Sequence, residues 1–107
     1  MSQYHVMLTE HANKDLEVIY LHYVSRVNDQ LADKLLLEIE QAIAKLATTP
    51  LIGHLPKELT LSDQDCLELL TKSFRVIYRI DYSNVYIVMI LHQKQSVAKA
   101  AAARLLN

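Results

Sequence analysis

The feature that most constrains the fold is a pair of strand-like runs late in the chain. Phe74–Asp81 and Asn84–His92 are rich in Val, Ile and Tyr, and only Tyr82 and Ser83 separate them. Residues of these types favour extended strands, and a short turn between two such runs favours a β-hairpin. A third run, Cys66–Lys72, precedes the pair. We therefore predict three consecutive strands that form an antiparallel meander.

Helical patterns fill the first half of the chain. Tyr4–Leu8 alternates between apolar and polar residues and predicts a short strand, after which Thr9 is a suitable N-cap. Apolar residues at three- and four-residue steps predict one helix to about Val27 and a second one after the Asn28-Asp29 turn. The second helix should end before Pro50, because a residue that precedes proline is pushed out of helical geometry. Two such helices form an antiparallel hairpin that packs on one face of the sheet.

Two further segments complete the expected architecture. Pro50–Asp65 contains Gly53 and both prolines, which predicts a surface loop with little regular structure. Val97–Leu106 is rich in alanine and predicts a short C-terminal helix. Helices grouped early and strands grouped late indicate the α+β class, in one domain that spans residues 1–107.

Composition and charge argue against several classes of protein. The net charge is −1, whereas proteins that bind nucleic acid through its phosphates usually carry a clear basic excess. The single cysteine, Cys66, cannot form an internal disulfide, and the histidines lack a repeated metal-ligand spacing, so we expect no metal and no other cofactor. No signal peptide is apparent, and no apolar stretch approaches the roughly 20 residues of a membrane helix. We expect a cytoplasmic protein without a membrane partner.

Strand alternation predicts a face of the sheet that mixes arginines with aliphatic residues. In a regular hairpin, position 79 lies opposite 86, 77 opposite 88 and 75 opposite 90. Arg75, Ile77 and Arg79 would then share the face that points away from the helices with Val88 and Ile90. Tyr86 and His92 would complete this face. Such a mixture suits a peptide that carries carboxylates and apolar anchors, so we predict that a protein partner binds Arg75, Ile77, Arg79, Val88 and Ile90.

Each polar residue of this face also has a simpler interpretation. Arg75 and Arg79 can be solvated, or they can pair with Glu68, Asp81 or a carboxylate of the partner. A single histidine at a strand end, as His92 is here, is more often structural than catalytic. An odd-length turn or a β-bulge would also change which residues share the face.

Several short motifs together resemble the ParE/RelE toxin family. They are Leu8–Leu16, Pro50–Gly53, Pro56–Leu59, Phe74–Asp81 and Val85–Gln95. Their order and spacing are specific, although each is short and mostly apolar. The resemblance covers about residues 6 to 95 and is greatest to the ParE-like, or plasmid-stabilisation, branch.

The resemblance implies a toxin that a co-expressed antitoxin holds inactive. Antitoxins of this family pair a DNA-binding dimerisation domain with a tail that wraps the toxin. ParE-like members poison DNA gyrase, whereas RelE-like members cut mRNA on the ribosome, and the shared fold does not distinguish these targets. A degenerate, non-toxic partner of the antitoxin is a third possibility.

The nuclease hypothesis requires a base, an acid and positive charge beside the phosphorane. The resemblance places Arg75 at the strand arginine of the family and Lys94 at the basic residue after the last strand, and His92 could supply the acid or base. However, Ala100 stands near the position of the RelE tyrosine, and Glu68 stands where a nuclease would carry positive charge. Gyrase inhibition is therefore the first hypothesis and endoribonuclease activity the second.

Overall fold

The computed structural model describes residues 3–54, 66–95 and 99. Its elements follow the predicted α+β order. They are β1 (His5–Leu8), α1 (Glu10–Arg26), α2 (Asp29–Thr48), a 3-10 turn (Pro50–Ile52), β2 (Cys66–Leu70), β3 (Phe74–Asp81) and β4 (Asn84–His92). The predicted helix Val97–Leu106 lies outside the described residues except for position 99, as does the part of the predicted loop from 55 to 65.

Side-chain caps fix the beginnings of both helices where the sequence predicts them. The Thr9 hydroxyl accepts a hydrogen bond from the Ala12 N–H at 3.2 Å. Asn28 Oδ1 accepts one from the Leu31 N–H at 2.8 Å. Caps of this kind each stabilise a helix by about 1 kcal/mol. No helix among the described residues is long and apolar enough to cross a membrane.

Within the described residues, four strands form one sheet in the order β1-β4-β3-β2. The pairs β2–β3 and β3–β4 are antiparallel, which confirms the predicted meander. The amino-terminal strand adds to it in parallel, from His5 opposite Asn84 to Leu8 opposite Ile87. Because β1 is short, it pairs with only the first half of β4.

A β-bulge in the hairpin corrects the predicted register. Arg79 lies opposite Tyr86, as predicted, but Ile77 lies opposite Met89, and position 75 lies opposite 91. Val88 is the additional residue between the two halves of the ladder. A slip of one residue moves every following side chain to the other face of the sheet. The predicted shared face is therefore wrong beyond Val88.

Buried side chains form one cluster on each face of the sheet. The cluster beneath the helices includes Phe74, Tyr78 and Ile90 together with residues of α1 and α2. The cluster on the outer face, which points away from the helices, comprises Cys66, Ile77, Met89 and Leu91, with Val88 packed against it. Ile77, which was predicted to bind a partner on this face, is only 1% exposed and packs within the outer cluster.

Candidate functional site

An ion pair lies buried on the outer face of the sheet. Arg75 on β3 and Glu68 on β2 are 8% and 4% exposed. Arg75 Nε donates a hydrogen bond to Glu68 Oε2 at 2.5 Å, and an Nη1 N–H donates to the Gln95 carbonyl oxygen at 2.7 Å. Charge-assisted bonds of this kind are among the stronger hydrogen bonds in proteins. Arg75 therefore already binds a carboxylate and a carbonyl oxygen of its own chain. Glu68 is one of the partners proposed for it from the sequence.

The same carboxylate contacts a histidine in the segment that follows α2. His54 Nε2 lies 3.0 Å from Glu68 Oε1. The two residues also exchange backbone hydrogen bonds, at 2.9 Å from His54 N–H and 2.6 Å from Glu68 N–H. Glu68 thus joins the outer edge of β2 to the end of the 3-10 turn. Sequence reasoning missed this contact, because nothing near His54 in the chain marks it as a partner of β2.

On the face of the sheet beneath the helices, Tyr78 contacts the segment that follows α2. Its hydroxyl donates to the Pro50 carbonyl oxygen at 2.6 Å and accepts from the Gly53 N–H at 3.0 Å. Burial raises the pKa of Tyr78, and the hydrogen bond from Gly53 opposes this increase. A Cβ atom at Gly53 would lie 2.5 Å from the Tyr78 hydroxyl oxygen and 2.6 Å from the Glu68 carbonyl oxygen. The close approach explains why this position has glycine.

His92 lies on the opposite face of the sheet from Arg75. Its Nε2 atom is 3.4 Å from the Tyr23 hydroxyl oxygen, and its ring centroid is 5.2 Å from that of Phe74. Lys94 is exposed in the turn after β4. The prediction that Arg75 and His92 share one face is wrong, because the bulge turns the end of β4 over. A catalytic role for these residues or Lys94 stays a prediction.

The predicted partner-binding residues likewise do not lie together. They are divided between the two faces of the sheet, and only some of them are exposed. Arg79 is exposed, and its Cζ atom lies 5.0 Å from the centroid of the Tyr86 ring. Val88 is half-buried. Ile90 is 2% exposed and belongs to the core beneath the helices. Arg79 and Val88 therefore remain accessible to a partner, whereas Ile90 does not.

The described part of the chain contains no group of three His, Cys, Asp or Glu residues that could hold a metal ion.

The sequence itself matches a known family over most of its length. Residues 6–97 match the family described as the ParE toxin of type II toxin–antitoxin systems, parDE. The chain belongs to the ParE toxin family. The resemblance seen in the short sequence motifs is thereby confirmed, and this ParE-family chain is a toxin of the type II class.

Solved structures share the fold of this ParE-family chain at low sequence identity. The chromosomal ParDE system of P. aeruginosa matches with a TM-score of 0.69 and 22% identity, over 83% of this chain and 95% of that one. The RelBE2 toxin–antitoxin complex of Mycobacterium tuberculosis matches with a TM-score of 0.57 and 24% identity, over 85% and 99%. The isolated E. coli RelE toxin matches with a TM-score of 0.51 and 15% identity, over 97% and 99%. No curated protein matches the sequence significantly.

Proposed function

We propose that this chain inhibits DNA gyrase and that an antitoxin holds it inactive in the cytoplasm. The observation that carries the proposal is the separation of the residues that RNA cleavage would need. Arg75 is buried against Glu68 on the outer face, whereas His92 faces the helices. Cleavage requires an acid, a base and positive charge that converge on one phosphate. The net charge of −1 also disfavours a protein that binds RNA through its backbone.

A RelE-like, ribosome-dependent endonuclease is the second candidate. One contact favours it: the His92 imidazole and the Tyr23 hydroxyl lie 3.4 Å apart, and both groups can transfer protons. Lys94 follows closely in the chain and is exposed. In this candidate, catalysis would use the end of β4 without Arg75.

The antitoxin is proposed as a tight partner on the basis of the family and of two structural neighbours. The P. aeruginosa structure is a ParDE system, and the M. tuberculosis structure is a toxin–antitoxin complex. Exposed Arg79 and half-buried Val88 are the predicted partner-binding residues that such a tail could still reach.

The target is tested with the purified chain, freed of antitoxin, in two parallel assays. We expect it to block gyrase supercoiling and to cause cleaved DNA to accumulate, while mRNA on translating ribosomes stays intact. Intact supercoiling together with ribosome-dependent cuts would show that the endonuclease is the correct candidate. A chain that affects neither target and does not arrest growth would be a non-toxic partner of the antitoxin.

A matched pair of variants then tests the residues. We expect His92→Ala to arrest growth as the wild type does when it is expressed without antitoxin, because gyrase inhibition needs no proton transfer there. His22→Ala is the control, since His22 is exposed and contacts the same Tyr23 ring edge-on, at 5.1 Å between centroids. If the His92→Ala variant folds but loses toxicity while His22→Ala keeps it, toxicity depends on the His92 imidazole. That outcome would contradict the proposal that the chain acts by gyrase inhibition without proton transfer at His92.

A further inference from the structure

The turn of the β3–β4 hairpin carries an aromatic side chain that the fold does not use. Tyr82 is 93% exposed. Among the residues that the structure describes, none forms a hydrogen bond or a ring contact with its phenol. A buried aromatic ring contributes much to the stability of a core, but a ring in this position contributes little. The Tyr82 side chain is therefore not explained by the packing of its own chain.

The backbone at Tyr82 is also unfavourable for a tyrosine. Its φ angle is 57°, which lies in the left-handed region. There the Cβ atom comes close to the following carbonyl oxygen, so glycine and asparagine are the residues that hairpin turns usually have at such positions. The tyrosine thus strains the turn and forms no contact in return. Strain of this kind motivates a search for a function outside the fold.

The turn projects beyond the strands on both sides of the hairpin. β2 begins opposite Arg79, and β1 begins opposite Asn84. Tyr82 and Ser83 lie past the last paired residues of β3 and β4. A projecting tip with a large side chain fits a pocket of a folded partner, whereas an extended or helical tail binds in a groove. The shape of the tip therefore favours a folded protein over an antitoxin tail.

A row of accessible side chains continues from the tip along the outer face of the sheet. Met7 lies opposite Tyr86, and Tyr86 lies opposite Arg79. Met7 is 39% exposed, and the Arg79 guanidinium covers one face of the Tyr86 ring. No carboxylate among the described residues forms an ion pair with Arg79, so its donors are available to a partner. Tyrosine, arginine and methionine are the types enriched in protein–protein interfaces.

We infer that Tyr82 is an anchor through which this chain binds DNA gyrase, with the ring in an apolar pocket of the enzyme and a gyrase carboxylate on Arg79. The inference rests on the proposed inhibition of gyrase. Burial of the Tyr82 ring supplies affinity, and the charge of Arg79 supplies orientation. An antitoxin carboxylate that binds Arg79 would compete with the enzyme for the same guanidinium.

Nucleic acid fits this surface less well than protein does. Asp81 is exposed directly beside Tyr82, and its carboxylate would repel a phosphate backbone. The Arg79 guanidinium lies 5.0 Å from the centroid of the Tyr86 ring, so that face of the ring is not free to stack on a base. The tip thus favours a protein pocket with a carboxylate beside it.

The test uses the full chain, freed of antitoxin, and measures gyrase inhibition, gyrase binding and unfolding by urea. We expect Tyr82→Asn to bind gyrase at least about tenfold more weakly and to require at least about tenfold more protein for half-maximal inhibition of supercoiling. Its urea midpoint should equal or exceed that of the wild type, because asparagine tolerates left-handed backbone. Tyr82→Phe keeps the ring and should stay within about threefold of the wild type.

Leu51→Asn is the matched control for loss of an exposed apolar side chain. Leu51 is 78% exposed and lies in the 3-10 turn after α2 rather than in the hairpin. This variant should change gyrase affinity and inhibition by less than about threefold. Affinity for the co-expressed antitoxin is measured for each variant as well, and we expect Tyr82→Asn to change it by less than about threefold.

Wild-type binding and inhibition by Tyr82→Asn would overturn the inference and leave the proposed function standing. A lower urea midpoint together with weaker inhibition would also overturn it, because Tyr82 would then act through the fold. If Tyr82→Asn keeps gyrase inhibition but loses antitoxin, gyrase-free DNA or a second copy of the chain, the tip serves that partner instead. A wild-type chain that does not inhibit gyrase would remove the proposed function and the inference with it.

Discussion

Arg75 Nε lies 2.5 Å from Glu68 Oε2 in an almost fully buried position. Burial of two charges carries a desolvation cost that only close pairing offsets. The second carboxylate oxygen faces the His54 imidazole, and the guanidinium also donates to the Gln95 carbonyl. The pair therefore connects the segment after α2, strands β2 and β3, and the turn after β4. These contacts give Arg75 a structural role within the chain.

The coupling between Arg75 and Glu68 can be measured with a double-mutant cycle. We expect Arg75→Met alone to lower the free energy of unfolding by about 3 kcal/mol, because the Glu68 carboxylate is left buried without its main partner. The double variant Arg75→Met with Glu68→Leu should cost clearly less than the sum of the two single changes. Urea unfolding followed by circular dichroism gives all four values. Additive losses would mean that the pair contributes no specific coupling.

A second carboxylate, on α2, holds the turn between β2 and β3. Glu38 Oε2 accepts from the Ser73 N–H at 2.7 Å and from the Thr71 hydroxyl at 2.5 Å, and Oε1 accepts from the Ser73 hydroxyl at 3.2 Å. We expect Glu38→Ala to destabilise the protein by about 2 kcal/mol, because the turn loses these acceptors together.

Glu40→Ala is the control for this prediction. Glu40 is exposed on the same helix, so its replacement should change stability by no more than about 0.5 kcal/mol. Both variants have the same change of charge and helix propensity. Thermal or urea unfolding that gives equal losses for the two would show that the turn does not depend on Glu38.

The secondary structure could be predicted from the sequence because its signals are local. Thr9 and Asn28 cap the helices within three residues, and Pro50 lies two residues after the end of α2. The bulge at Val88 has no such signal. Val85–Leu91 is continuously apolar, so no alternation reveals which residue is additional, and a single slip then placed His92 and Ile90 on the wrong face.

The contacts of the candidate site depend on tertiary structure, so only some of them could be predicted from the sequence. The sequence offered Glu68 as one of several carboxylates for Arg75, and the observed register of β2 and β3 places both on the same face. His54 reaches Glu68 only through the bridge that follows the 3-10 turn. Asp15 reaches the Ile90 amide across 75 positions of the chain. Neither contact follows from a periodicity or a motif.

The raised pKa of Tyr78 predicts how stability changes at high pH. The folded-state pKa lies above the ordinary value of 10.0, chiefly because the phenol is buried. Its contribution is therefore fully present below pH 10.0 and is lost as the pH rises through the folded-state pKa, since the unfolded chain releases its proton first. We therefore expect the Tyr78→Phe variant to lose less stability than the wild type as the pH rises above 10.0.

At neutral pH, Tyr78→Phe should cost about 1 to 2 kcal/mol, because the Pro50 carbonyl and the Gly53 N–H lose their partner. Tyr82→Phe is the control, since Tyr82 is exposed at the tip of the hairpin. Urea unfolding between pH 7 and 11 distinguishes the two variants. A pH dependence that is the same in Tyr78→Phe and the wild type would contradict the assignment to this phenol.

Arg79 is the arginine of the outer face that a partner can still reach, and its charge reversal tests the predicted contact with an antitoxin carboxylate. Its guanidinium lies over the Tyr86 ring, which limits its rotamers and leaves its donors exposed. We expect Arg79→Glu to weaken the antitoxin complex about tenfold, mainly through slower association, and the effect should be largest at low salt. Lys72→Glu has the same change of charge at an exposed position near the opposite end of β3 and should change affinity by less than about threefold.

Arg75→Glu would not be informative, because it places two carboxylates together in a buried position and should unfold the chain. Undiminished affinity of folded Arg79→Glu would mean that the antitoxin tail binds elsewhere.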